Sequence, residues 1–406
     1  MKIKEKKTLI PILFLILIVF FPTYLISENI TISQGVLFIF FPLALCAFQL
    51  FKKIIIYPDP VITVFFICTL YFFISSATKI NILNEWIFVT HFRYIFYFLT
   101  FILTYSIFNS YSISINSFYK SLTVVYFFIF LFIIIQILIP QSYFESLFSK
   151  KPAFDYTGYR IGGPFEWSYI LAFTILPIFM MNLHNIIYNK KYDFINLFII
   201  ITSLIFIILS QSKSAYLALF LSILIYFIFC SIRSIKALIT FVILTFILLL
   251  LSYFLFDNIT TDDFSHINNF INNANNGSID GSTLNRINQI KKALILLENN
   301  FLFGYPSADM VIENSYFFYA YFYGLIGLLT YLFLFSFLLF ISFRNMKKYF
   351  THPSLNTLSV GIFFLTFSVF IFGASASPTD ANKASYYFYF LWGAYVSIIK
   401  RNELLN

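Results

Sequence analysis

The sequence predicts an all-α polytopic membrane protein of about twelve transmembrane helices, and three observations predict it. Of 406 residues, 60% are hydrophobic and 11% charged, with a mean hydropathy of +0.86. The apolar residues fall in blocks of roughly 20, the length that crosses a hydrocarbon core as a helix. The basic residues gather in alternate loops, which is how a multi-pass chain sets its orientation. Cys46, Cys68 and Cys230 all lie in apolar blocks and the four histidines are scattered, so neither a disulfide framework nor a metal centre is expected. Topology accounts for the net charge of +9, which therefore gives no ground for nucleic acid as a partner.

In chain order, the spans are expected at 8–26, 30–51, 60–78, 86–108, 118–140, 167–187, 193–210, 214–231, 236–256, 314–341, 355–373 and 384–399. The first reads as a retained span, because its apolar part is long and no small-residue cleavage site follows. Lys2, Lys4, Lys6, Lys7, Lys52, Lys53, Lys120, Lys190, Lys191, Arg233, Lys236, Arg344, Lys347, Lys348, Lys400 and Arg401 fall on the N-terminal side of the membrane, so both termini are expected in the cytoplasm. Residues 1–406 then form a single integral membrane domain with two outer segments, at 141–166 and 257–313.

The segment 257–313 is too polar to lie in lipid and must fold on one face. Within it, Ile287, Ile290, Leu294, Leu297 and Phe301 follow the three-and-four spacing of an amphipathic helix near 283–301. Ser282 or Thr283 can cap its start, and Gly304 and Pro306 end it. This helix is expected to lie on the membrane surface with its apolar stripe down. Arg286 stands in its first turn, where a cation opposes the helix dipole.

Because topology explains most of the positive charge, the informative cations are those on the outer face: Lys79, Arg93, Lys150, Lys151, Arg160, Lys213, Arg286, Lys291, Lys292 and Lys383. Arg160 opens RIGGPFEW, where two glycines and a proline turn the backbone sharply before a span. Lys213 lies in the tight turn SQSKSA. Arg93 sits about two turns inside its span, and an intramembrane arginine is a functional candidate by default. Glu313 and Asn314 stand where the large loop re-enters the membrane, so Glu313 suits a general base in a partly desolvated site, with Asp309 and Glu166 as further carboxylates. Ordinary readings stand beside these: an interfacial loop for Arg160, a snorkelling Lys213, and capping by Glu313 and Asn314. Asp262 and Asp263 read as solvated loop carboxylates.

RIGGPF from Arg160, SQSKSA from Ser210, NRINQIKKALILLENNFLFGY from Asn285 and ENSYFFYAYFYGLIGLL from Glu313, in this order and spacing, resemble the O-antigen polymerase (Wzy) and O-antigen ligase superfamily. The resemblance covers roughly residues 155–345. Two departures count. The turn after the seventh span carries Lys213 where the family usually has arginine, which loses bidentate phosphate geometry. The entry to the tenth span carries Glu313 where the ligases have histidine, which points to polymerase rather than ligase; a flippase of lipid-linked oligosaccharide is a third reading.

The resemblance implies a GT-C-like glycosyltransferase architecture in a bacterial inner membrane. It implies transfer of undecaprenyl-pyrophosphate-linked glycan without metal or cofactor, with membrane lipid and a chain-length regulator protein as partners. Arg160 and Arg286 would cradle the pyrophosphate and Glu313 would act as base, these three being the catalytic candidates. Lys213, Arg93, Glu166, Asn314 and Tyr316 would bind substrate, Lys213 within the cradle, while Tyr316 and Trp167 stack on sugar faces.

Overall fold

The computed structural model describes residues 2–22, 25–27, 30–78, 85–139, 147–148, 154–155, 158–231, 239, 276, 278–279, 281–298, 300–305 and 312–405. Among these, twelve α-helices follow one another: α1 (Lys2–Val19), α2 (Ile32–Gln49), α3 (Pro60–Ala77), α4 (Glu85–Ser110), α5 (Ile115–Leu138), α6 (Ser168–Ile187), α7 (Phe194–Leu209), α8 (Lys213–Ser231), α9 (Gly281–Leu297), α10 (Ser315–Lys348), α11 (Pro353–Gly373) and α12 (Asn382–Leu405). Two short antiparallel ladders, β1–β2 (Leu25–Ser27, Ile30–Thr31) and β3–β4 (Phe154–Asp155, Gly158–Tyr159), sit in loops and form no layer of their own. The protein is an all-α polytopic membrane protein. Eleven of the predicted spans fall on helices, whereas the ninth, 236–256, lies outside the described residues apart from Ile239. The helices over Pro60–Ala77, Ile115–Leu138, Ser168–Ile187, Lys213–Cys230, Ser315–Lys348 and Pro353–Gly373 are each long and apolar enough to cross a membrane.

The helices alternate in direction, and polar clasps mark the two ends of the bundle. At the end holding the first and last helical residues, Lys348 Nζ lies 2.6 Å from Glu403 Oε1, Arg401 donates to the carbonyls of Phe108 and Ile113, and Ser121 donates to the Thr8 carbonyl at 3.2 Å. This is called the terminal end; the opposite one, which carries α9, is the loop end. α6 and α11 run through the centre, with 78% and 83% of their spans buried. Small residues let the helices close up: Gly393 of α12 faces the Phe101 carbonyl of α4 so closely that a Cβ there would stand 2.5 Å from it.

α10 departs from the uninterrupted span expected at 314–341. Its 34 residues would extend about 51 Å as one helix, far beyond the hydrocarbon core. Instead it breaks at Gly324 (φ 70°, ψ −170°), leaving a short first piece over 315–323. The chain just after α9 satisfies the backbone groups that the break frees. Tyr305 N donates to the Tyr321 carbonyl at 2.6 Å, and Leu325 N to the Phe301 carbonyl at 2.9 Å. Gly304, also left-handed (φ 78°), approaches so closely that a Cβ on it would stand 2.5 Å from Gly324 N, and a Cβ on Gly324 would stand 2.2 Å from the Leu302 carbonyl oxygen. Two glycines are required because two backbones touch.

α9 covers Gly281–Leu297, and the stripe residues Ile290 and Leu297 are among those that the protein covers. Ala293 and Leu297 are buried and Arg286, Gln289 and Ile290 half-buried, while Leu294 and Phe301 are exposed. Arg286 therefore shares the face that packs toward α10.

Gly324→Ala is expected to destabilise the fold by on the order of 2–3 kcal/mol, from left-handed backbone strain together with the clash against Leu302. The check is the melting temperature of the purified protein in detergent. An unchanged melt would contradict the account of the break.

Candidate active site

A buried ion pair organises the loop end. Arg93 of α4 places Nη2 2.7 Å from Asp380 Oδ1, with side-chain exposures of 6% and 8%, and Nη1 donates to the Asp380 backbone carbonyl at 3.3 Å. Asp380 closes the 3₁₀ turn Pro378–Asp380 between α11 and α12. Tyr319 donates to its Oδ1 at 3.2 Å and accepts from Tyr94 at 2.9 Å, while Ser377 donates to Oδ2. The guanidinium also lies 5.3 Å from the centre of the Phe318 ring and 5.4 Å from that of Tyr94. The carboxylate is thus saturated, as a buried charge must be. The aromatic richness of the chain is put to structural use here, since Phe72 stacks on Tyr94 at 4.5 Å and Tyr319 on Tyr331 at 4.1 Å.

A second ion pair lies nearer solvent. Arg286 Nε stands 2.8 Å from Glu313 Oε2, with side-chain exposures of 29% and 47%. Gln289, one turn along α9, accepts from the Glu313 amide at 3.2 Å. The spacing of Arg286 and Gln289 on one helix face explains how both reach the same residue. Glu313 does not have the desolvated setting expected of it. Asn314 caps α10, its Oδ1 accepting from Phe317 N at 3.1 Å while its Nδ2 donates to the Ala374 carbonyl at 2.7 Å. The Tyr316 hydroxyl donates to the Phe370 carbonyl at 2.6 Å, so only its ring is left to meet a ligand.

The RIGGPFEW segment forms a third group. Arg160 Nε donates to the Ser210 carbonyl at 3.2 Å and Ile161 N to the Leu209 carbonyl at 3.1 Å, so the segment docks on the tight turn that leads to Lys213. That turn is sharp because Gln211 is left-handed (φ 45°). Gly163 (φ 58°) reverses the chain as expected and donates its amide to Gln136 Oε1 at 3.1 Å. Glu166 is buried and in electrostatic reach of Lys383, whose ammonium, also buried, donates to the Pro164 carbonyl at 2.6 Å. Lys383 stands in the first turn of α12, three residues after Asp380, so it ties the third group to the first.

The structure therefore brings together Arg286 with Glu313 and Arg160 with the Lys213 turn, and it gives Arg93 to Asp380. Asp309, Asp262, Asp263, Lys79, Lys150 and Lys151 lie outside the described residues. Asp380 escaped the sequence reading, although a signal existed: an arginine two turns inside a span needs a carboxylate at the same depth. Chemically, the site offers cations for a polyanion, a half-exposed carboxylate for a proton, and aromatic rings for sugar faces.

Fold and site together define a polytopic membrane protein with a polar, cation-bearing end. The family described as O-antigen ligase matches residues 198–327, less than half of the chain. The matched stretch begins in α7 and ends just past the α10 break, so it holds Lys213, Arg286, Glu313, Asn314 and Tyr316 but neither Arg93, Arg160 nor Asp380. It supports a place in the O-antigen ligase and polymerase superfamily, with a glycosyltransferase-type role in surface-polysaccharide synthesis. No curated protein matches the chain.

Removing one partner of the buried pair, as in Arg93→Met or Asp380→Leu, should cost about 3–5 kcal/mol by stranding the other charge. The double variant Arg93→Met with Asp380→Leu should recover most of that stability. Thermal melts of the four proteins decide it, and a single variant melting like wild type would refute the structural role.

Proposed function

We propose that this chain is a polymerase of O-antigen or a related surface polysaccharide, joining undecaprenyl-pyrophosphate-linked repeat units at the periplasmic face of the bacterial inner membrane. The observation that carries the reading is the Arg286–Glu313 pair at the entry to α10, with glutamate where the ligases bear histidine. Both termini are then cytoplasmic, and the loop end faces the periplasm. The description of the matched family favours ligase as the second reading, with glycan passing to a lipid acceptor over the same cations.

In this reading the acceptor hydroxyl attacks the anomeric carbon of the donor glycan. The bond from that carbon to the carrier oxygen breaks, its electron pair leaves with the pyrophosphate, and the hydroxyl proton passes to Glu313. Arg160, Lys213 and Arg286 neutralise the charge growing on the pyrophosphate, charged hydrogen bonds being worth about 1.5–3 kcal/mol each. Magnitudes decide which arginine does this work. An exposed ion pair such as Arg286–Glu313 is worth about 0–1 kcal/mol, so an arriving pyrophosphate can take Arg286 and free the carboxylate. Arg93 cannot be released so cheaply and serves as an anchor. The rings of Tyr316 and Trp167 would meet the sugar, buried Asn314 and Glu166 would support the site from behind, and a chain-length regulator would act on the same face.

Arg286→Ala and Glu313→Ala should each leave protein level and melting temperature near wild type while reducing polymer at least a hundredfold, read as the glycan ladder of complemented deletion cells. A normal ladder in either variant would remove that residue from the reaction.

A further inference from the structure

The terminal end holds a cavity of about 200 Å³ between the start of α3 and the last turns of α10 and α12, remote from the loop end. Its wall alternates in charge: Asp59 and Glu403 supply carboxylates, Arg344 and Lys400 cations. Asp59 caps α3 by accepting from Val61 N at 2.8 Å, and Glu403 already meets Lys348 and Tyr349. Among the described residues, Arg344 and Lys400 have no carboxylate at ion-pair distance.

Asn345 lies between them, 3% exposed. Its Nδ2 donates to the Tyr395 hydroxyl at 3.0 Å, yet its Oδ1 is buried with no hydrogen-bond partner. An orphan amide oxygen of this kind costs about 1–3 kcal/mol, and the cavity therefore asks for a donor at that point. Burial also pushes the Asp59 carboxyl up, an effect that the Val61 amide, Lys400 and Arg344 offset only in part. Exposed apolar residues stand next to the lining in sequence. Ile54, Ile56 and Tyr57 lead into Asp59 exposed, as are Phe340, one residue before the lining Ile341, and Leu404, one residue after Glu403. Exposed apolar side chains beside a charged cavity suit acyl chains, which a water-soluble ligand lacks.

We propose that this cavity binds the headgroup of a zwitterionic aminophospholipid. Its primary ammonium donates to Asn345 Oδ1 beside Asp59, its phosphate lies against Arg344 and Lys400, and its acyl chains run along these apolar side chains. The inference is independent of the reaction proposed for the loop end.

The test is native mass spectrometry of the full-length protein purified with equal amounts of phosphatidylethanolamine, phosphatidylcholine and phosphatidylglycerol. Phosphatidylcholine keeps the charges but has no N–H, and phosphatidylglycerol has no ammonium. Phosphatidylethanolamine should be retained about tenfold over either, the lower end of what a charged hydrogen bond confers. Arg344→Gln with Lys400→Gln should bring its retention down to the phosphatidylcholine level. Lys400→Gln alone serves as the milder variant, verified by its melt, and should lower retention severalfold. Equal retention of the three lipids, a preference for phosphatidylglycerol, or wild-type retention in the double variant would overturn the proposal. So would free phosphoethanolamine binding as tightly as the lipid.

Discussion

The loop end of this protein depends on one buried ion pair. Arg93 and Asp380 lie 287 positions apart in the sequence, and their contact fixes α4 against the link between α11 and α12 while the Tyr319 hydroxyl brings in α10. Taking two charges out of water costs least when their hydrogen-bonding atoms find partners, and Ser377, Tyr94 and Tyr319 converge on the carboxylate, although Arg93 Nε is buried without a hydrogen-bond partner. Such a cluster has few alternative arrangements. It therefore sets where α10 begins, and with it the positions of Asn314 and Glu313.

Two constraints translate this anchor into a usable site. The first is the break at Gly324, where a second backbone completes the hydrogen bonding that the helix gives up, so the short first piece of α10 can take a direction of its own. The second is burial. Arg93–Asp380 and Arg286–Glu313 are chemically the same kind of pair, yet one is closed from solvent and the other half open to it. Solvent screening makes the open pair exchangeable and the closed one permanent. The contrast between the two arginines follows from depth alone.

Much of this was legible in the sequence. Eleven spans were visible as apolar blocks because lipid imposes one length on every crossing helix. The sharp turn at RIGG and the helix after Gly281 followed from local chemistry, glycine and three-and-four spacing. What was not legible came from long-range contact. Nothing in the period of 374–383 shows that Asp380 meets an arginine in the fourth span. Gly324 reads as one small residue in an apolar run until Gly304 is seen against it. Which residues of α9 meet protein was not legible either: Ala293 and Leu297 are buried, whereas Leu294 is left exposed by the protein. Hydropathy cannot tell protein from lipid as the apolar neighbour.

The most direct measurement is the surface glycan of cells lacking this gene, resolved by size and by the lipid that carries it. A polymerase predicts acceptor lipid bearing a single repeat unit, with no longer chains. Bare acceptor lipid with full-length polymer accumulating on the undecaprenyl carrier would contradict that account and assign the chain to ligation instead.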